Sequence, residues 1–303
     1  MLKKALLIGI NEYSDVQLKG CVNDVKLMQE MLTGLFGFSS ENIKILLNRD
    51  ATKQGILDGL AWLKQGGAEP ASRLLHYSGH GHFVPDENGD EKDDGRDEAL
   101  VPIDGRYIID DELQKIYQGF PPQDRLTLIM DCCHSGTNQR APDKDITYRY
   151  LPNTYQERQA ILAARKKFIQ GRSEFIREEF KKLGKFRSNM RGPNDDFDRF
   201  FQEYSLKYEK KLFGDVRVDE RNLLFAACQN DQKAADAPME DGAYHGAFTF
   251  FLTKLLRESE GKIAFQDAAK QLGQTLYDFD FKQIPQLECP PGQETKSFFS
   301  VLA

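Results

Sequence analysis

The chain of 303 residues is long enough for one large domain or two modest ones, so core size imposes no limit. Its 40% hydrophobic and 29% charged residues are ordinary for a soluble globular protein, and no run approaches the roughly 20 apolar residues that span a bilayer. The net charge of −6 hides an asymmetry: residues 140–217 hold 19 Lys and Arg against 12 Asp and Glu, and the rest holds 22 against 35.

In chain order, Lys4–Ile10 reads as a buried first strand; its apolar stretch is too short for a secretion signal. Val22–Phe36 places Val25, Met28, Leu32 and Leu35 at helical spacing. Asn42–Leu47 is a strand, and Lys53–Lys64 a helix with Ile56, Leu57, Leu60 and Leu63 on one face. Ser72–Tyr77 and Leu126–Met130 are buried strands, with a helix at Ile109–Tyr117 between them. Leu223–Ala227 is another buried strand, followed by helices at Ala247–Arg257 and Ala264–Tyr277. The alternation predicts an α/β fold with a mostly parallel sheet between helices.

Residues from about Thr137 to Arg217 lack strand-like runs and carry helical patterning around 157–183 and 196–212. We expect a basic helical insertion, 137–217, between a region at 1–136 and another at 218–303. Its charge suits a solvated surface or a segment docking on an acidic cleft of the same chain. A nucleic-acid surface fits less well, because acids are mixed in, and no nucleic-acid or membrane partner is expected. The five cysteines, Cys21, Cys132, Cys133, Cys228 and Cys289, are odd in number and irregularly spaced, which points to reduced thiols in a cytoplasmic setting.

Two segments carry chemistry, and each follows a predicted strand: His76-Tyr-Ser-Gly-His-Gly-His82 and Asp131-Cys-Cys-His-Ser-Gly136. In open α/β sheets functional residues gather beyond the carboxyl ends of strands. A cysteine attacks a carbonyl as thiolate, and an adjacent imidazole takes its proton and later delivers it to the leaving amine. Cys133 and His80 suit those roles. The amides of Gly81 and Cys133 suit an oxyanion hole. A metal site is the rival reading, but Cys-Cys-His in direct succession converges poorly on a tetrahedral ion. His76 lies within a strand pattern and reads as core; Cys132 should face away from Cys133.

Together Tyr77-Ser-Gly-His-Gly81 and Asp131-Cys-Cys-His-Ser-Gly136 resemble the metacaspases, caspase-like cysteine peptidases. The 53-residue separation of His80 and Cys133 agrees with the spacing in caspases. Leu18-Lys-Gly-Cys-Val-Asn-Asp24, Asp94-Gly-Arg-Asp-Glu-Ala-Leu-Val-Pro-Ile-Asp104, and Ala226-Ala-Cys-Gln-Asn-Asp-Gln232 leading to Ala235-Asp236 are also similar. The resemblance implies a caspase-like fold with His80 as base and Cys133 as nucleophile. It implies protein or peptide cleavage after Arg or Lys in an S1 pocket shaped by Cys21, Asp24, Ser78 and Asp131. It also implies a monomer, calcium as activator with Asp97, Asp110 and Asp111 as ligands, and self-cleavage in the linker. Arg165-Lys-Lys167, Arg177, Lys181-Lys182, Lys185 and Arg187 make that linker a suitable autoinhibitor. A catalytically silent scaffold, or a transpeptidase or ligase using the same acyl-enzyme, are the alternatives.

Overall fold

The computed structural model describes residues 1–67, 69–85, 96–133, 145–152, 222–228 and 232–299, with a few positions between 154 and 163. The chain divides into two compact units. The first comprises Met1–Phe83, Glu98–Pro152 and Val218–Ala303. The second comprises Val84–Asp97 and Asn153–Arg217. Within the second unit, the Thr154 hydroxyl accepts from the Glu157 amide at 3.2 Å while the Glu157 carboxylate accepts from the Thr154 amide at 2.6 Å, a reciprocal helix-start pairing. Residues 164–217 of the expected helical insertion, including its basic residues from Arg165 onward, lie outside the described residues.

The first unit is built on a six-stranded sheet. In chain order its strands are β1 (Leu2–Gly9), β2 (Ile43–Leu47), β3 (Ala71–Ser78), β7 (Arg125–Asp131), β9 (Leu223–Ala226) and β12 (Gln286–Glu288). In space they run β12-β9-β7-β3-β1-β2, all parallel except β12. Strands covered on both faces read as continuous apolar runs, and β3 and β7 are buried at every residue. Alternate residues feed two cores. Ala5, Leu7, Leu74 and Ile129 pack with α1 (Cys21–Gly34), α4 (Ala247–Glu258) and α5 (Phe265–Asp278). Leu6, Ile8, Leu75 and Leu128 pack with α2 (Lys53–Lys64) and α3 (Asp110–Gln118) on the other face. Helix α2 starts where the Thr52 hydroxyl accepts from the Gly55 amide, and it buries Ile56, Gly59, Leu60 and Leu63. This is a caspase-like α/β architecture.

Six short strands lie outside this sheet: β4 (Gly81–Pro85), β5 (Arg96–Leu100), β6 (Ile108–Ile109), β8 (Thr147–Tyr148), β10 (Ala235–Pro238) and β11 (Tyr244–Gly246). Strands β8, β10 and β11 form a small sheet in the order β11-β10-β8, antiparallel throughout. Residues Asp145–Pro152, expected in the insertion, belong to the first unit.

Candidate active site

Strands β3 and β7 are neighbours, and their last residues pair, Ser78 with Asp131. The two chemistry-bearing segments therefore leave the sheet side by side. Cys132 joins the core that holds α2, while Cys133 joins the opposite one, as alternation requires. His76, within β3, is buried with Nε2 3.3 Å from the Thr249 hydroxyl, and burial lowers its pKa to about 4. It is a core histidine.

His80 is held from several directions. Its amide donates to the Tyr13 hydroxyl at 2.9 Å, its carbonyl accepts from the Tyr77 hydroxyl at 2.8 Å, and its ring lies 4.4 Å from that of Tyr13. Nε2 lies 2.6 Å from the Val16 carbonyl, which only accepts, so the proton sits on Nε2. Nδ1 is buried without a partner and keeps its lone pair open. Burial lowers the imidazole pKa to about 4; the Val16 carbonyl opposes this and the Arg149 charge adds to it. At neutral pH His80 is an uncharged imidazole in a fixed tautomer.

Cys133 is buried, with the Ala234 amide donating to Sγ at 2.6 Å and Sγ 3.4 Å from the Ala234 carbonyl. The amides of Gly81 and Cys133 converge on one oxygen, the carbonyl of Arg149, at 3.0 and 3.2 Å. The Arg149 amide in turn donates to the Ala234 carbonyl at 3.1 Å. Upstream, Tyr148 and Thr147 pair with Ala235 and Asp236 as β8 against β10. Downstream, the Leu151 amide donates to the Gly81 carbonyl at 3.0 Å. Residues 147–151 thus lie across the strand ends as an extended peptide, with one carbonyl between two donors that suit an oxyanion hole.

The Arg149 side chain is fully buried among three carboxylates. Nη2 donates to Asp24 at 2.6 Å and to Asp236 at 2.9 Å. Nη1 donates to the Ser78 hydroxyl at 2.7 Å and lies 3.1 Å from Asp131. The pocket is built on helix starts. Asp236 accepts from the Lys19 and Gly20 amides at 2.8 and 3.0 Å, just ahead of α1. Asp24, in the first turn of α1, accepts from the Gly246 amide at 3.0 Å, and Asp131 from the Thr249 amide at 3.0 Å and its hydroxyl at 2.7 Å. Orphan amides and helix dipoles there favour anions. Burial opposes the charge on Asp24, but Arg149, His245 and Ser78 leave its pKa below the ordinary value. For Asp131 burial wins over Arg149, and the pKa rises to about 6. Two glycines leave room: a Cβ on Gly20 would meet Asp236 Oδ1 at 2.5 Å, and one on Gly246 would collide with Asp131 and Arg149.

A family model described as "Metacaspase, peptidase C14 domain" matches residues 3–142. Metacaspase-1A of Aspergillus niger is 32% identical over 304 residues, covering 95% of this chain and 70% of the relative. The chain belongs to the metacaspases. Metacaspase-1 of Eremothecium gossypii is 30% identical over 305 residues, with 95% of this chain and 64% of the relative covered. The chain therefore spans about two thirds of the length of these two relatives. In fold, the crystal structure of protein GSU0716 from Geobacter sulfurreducens is similar, with a TM-score of 0.62 and 23% identity over the whole of both chains. Membership makes this metacaspase a cysteine-type endopeptidase.

The first unit brings together His80, Gly81, Cys133, Asp24, Ser78 and Asp131. Cys21, buried at the start of α1, also borders the pocket; burial pushes its thiol pKa up, and the Arg149 charge opposes this. Asp236 stood in a motif that carried the resemblance yet had no role assigned. His245, which joins Asp24 (3.3 Å) to Asp241 (3.0 Å), and Thr249 had no local signal. Among the described residues no three His, Cys, Asp or Glu side chains stand close enough to hold a metal ion. Asp97, Asp110 and Asp111 do not by themselves make a calcium cage. Asp110 is nonetheless raised to about 6, by burial first and then by the charges of Glu98 and Asp111.

Proposed function

We propose that this metacaspase cleaves peptide bonds after arginine, and less well after lysine, and that its own Arg149–Tyr150 bond is a substrate. The observation that carries this is Arg149 itself: its guanidinium faces Asp24, Asp131 and Asp236 while its carbonyl rests between the Gly81 and Cys133 amides. In this reading His80 Nδ1 takes the thiol proton and Cys133 Sγ attacks the Arg149 carbonyl carbon. The oxyanion stays between the two amides, each worth roughly 3–4 kcal/mol. Collapse expels the Tyr150 amine, protonated by His80, and leaves a thioester. Water, deprotonated by His80, hydrolyses it.

Arginine should outrank lysine because the planar fork reaches Ser78 and three carboxylates at once, whereas an ammonium is a point donor. Until the bond is cut, Arg149 fills the place of a substrate side chain, so the uncut chain is its own inhibitor. The occupant is Arg149, upstream of the basic run expected to dock there.

Paired fluorogenic peptides ending in Arg, Lys or Asp, with Cys133→Ala as control, test the reading. Cleavage after Arg above Lys, lost in the variant, supports it; cleavage after Asp contradicts the pocket. Calcium activation is part of the proposal, supported by the resemblance and by the mutual repulsion around Asp110, and no step above depends on it. Rates with millimolar calcium that equal those with chelator would remove it.

A further inference from the structure

Beyond the P1 pocket, the residues after Arg149 are also held, and by side chains that the catalytic chemistry does not use. The backbone of Tyr150 bridges in parallel to Gly81, and the Leu151 amide donates to the Gly81 carbonyl at 3.0 Å. His82, fully buried, reaches the same stretch: its Nδ1 lies 2.9 Å from the Leu151 carbonyl, which fixes Nδ1–H as the donor. Its ring has two aromatic neighbours at shallow angles. Tyr107 stacks on one side at 4.5 Å and 30°, and Tyr150 lies 6.4 Å away at 28°. Both separations fall in the range where aromatic pairs attract.

We infer that His82 and Tyr107 form a leaving-group subsite that selects an aromatic residue immediately after the cleaved bond. This rests on reading Arg149 as the residue before that bond, and it adds a second specificity element to the same cleft. His82 holds the two residues after the cut by one hydrogen bond to the second and one ring face for the first. Tyr107 fixes the plane of that face. A buried imidazole so oriented cannot rotate away without giving up the Leu151 carbonyl. An aliphatic or acidic residue in the first position forfeits the stack but keeps the backbone contacts. The preference therefore appears as a ratio between substrates rather than as all-or-none cleavage.

Quenched fluorescent peptides of sequence Ile-Thr-Tyr-Arg-X-Leu-Pro-Asn, with X as Tyr, Phe, Ala or Asp, test this on the full-length protein. An Ile-Thr-Tyr-Arg aminocoumarin amide, which lacks every residue after the cut, runs beside them. The expected result is kcat/KM for Tyr and Phe about three- to tenfold above Ala. In His82→Ala and Tyr107→Leu the Tyr-to-Ala ratio falls towards one. The ratio is taken within each protein, so partial loss of folded material does not affect it, and the wild-type ratio alone decides if a variant fails to fold. Equal rates for all four X with the coumarin amide cleaved would overturn the subsite and leave the Arg149 reading standing. With millimolar calcium present, no cleavage of the coumarin amide or of any peptide, together with no fragment ending at Arg149, would remove the Arg149 reading and this inference with it.

Discussion

Asp236 is the residue through which the pocket can be tested most sharply, because both of its oxygens are committed. One accepts from Arg149 Nη2 at 2.9 Å and the Gly20 amide at 3.0 Å, the other from the Lys19 amide at 2.8 Å. Asp236→Asn keeps the shape and removes a charge. Its amide nitrogen must then face a donor either way: the Lys19 N–H or the guanidinium. Weakening one partner of a buried, charge-assisted contact costs about 2–5 kcal/mol. With Asp24 and Asp131 still present, the lower end applies. About 2 kcal/mol corresponds to a roughly 30-fold fall in kcat/KM on P1-arginine peptides. Lysine peptides should fall less, since an ammonium does not depend on the fork. The assay is steady-state hydrolysis of matched Arg and Lys peptides, with a thermal melt to confirm folding. A folded Asp236→Asn within twofold of wild type on Arg peptides would rule out Asp236 as a holder of the P1 guanidinium.

Three further outcomes follow from the geometry. Gly246→Ala places a methyl against Asp131 and the P1 guanidinium; overpacking of about 1–3 kcal/mol predicts a loss of roughly five- to 150-fold on Arg peptides, with Cys133 still labelled by a small thiol reagent. Asp131, raised to about 6 with Arg149 in the pocket, loses the lowering influence of that charge when the pocket is vacated, so kcat/KM on Arg peptides should decline on the acid side of a pKa at or above about 6 and flatten in Asp131→Asn. His76 has a folded-state pKa of about 4 against 6.5 ordinarily. Being depressed, it contributes stability that is present above about pH 6.5 and lost as pH falls through 4, on the order of 3 kcal/mol. Asp131 acts with the opposite sign, so the measured quantity is the difference: His76→Gln should flatten acid unfolding over that window, and parallel melting curves would count against it.

The sheet strands and helices were legible because burial on both faces writes itself into sequence as apolar runs, and one-sided burial as 3.6-residue spacing. Lys53–Lys64 has the expected limits, and β3 and β7 extend their predicted runs by one residue at each end. The strands β4–β6, β8 and β10–β12 were not legible. They span two to five residues at the rim, too few for alternation to show against loop composition. The dyad segments stood out because Gly, His and Cys cluster at strand ends. The third pocket carboxylate did not, because Asp236 meets Lys19 only through packing over 217 positions of sequence. Nothing local distinguishes Arg149 from the other basic residues after 140; its place is set by β8 pairing with β10 and by the acids beneath it.

The most direct measurement is the identity of the self-cleavage bond, read by intact-mass and N-terminal analysis of purified wild-type protein beside Cys133→Ala. Self-cleavage after Arg149 gives fragments 1–149 and 150–303, the second beginning at Tyr150, from wild type alone, with Cys133→Ala intact. Wild-type protein whose first cut falls elsewhere, at an unchanged rate in Arg149→Gln, would contradict it.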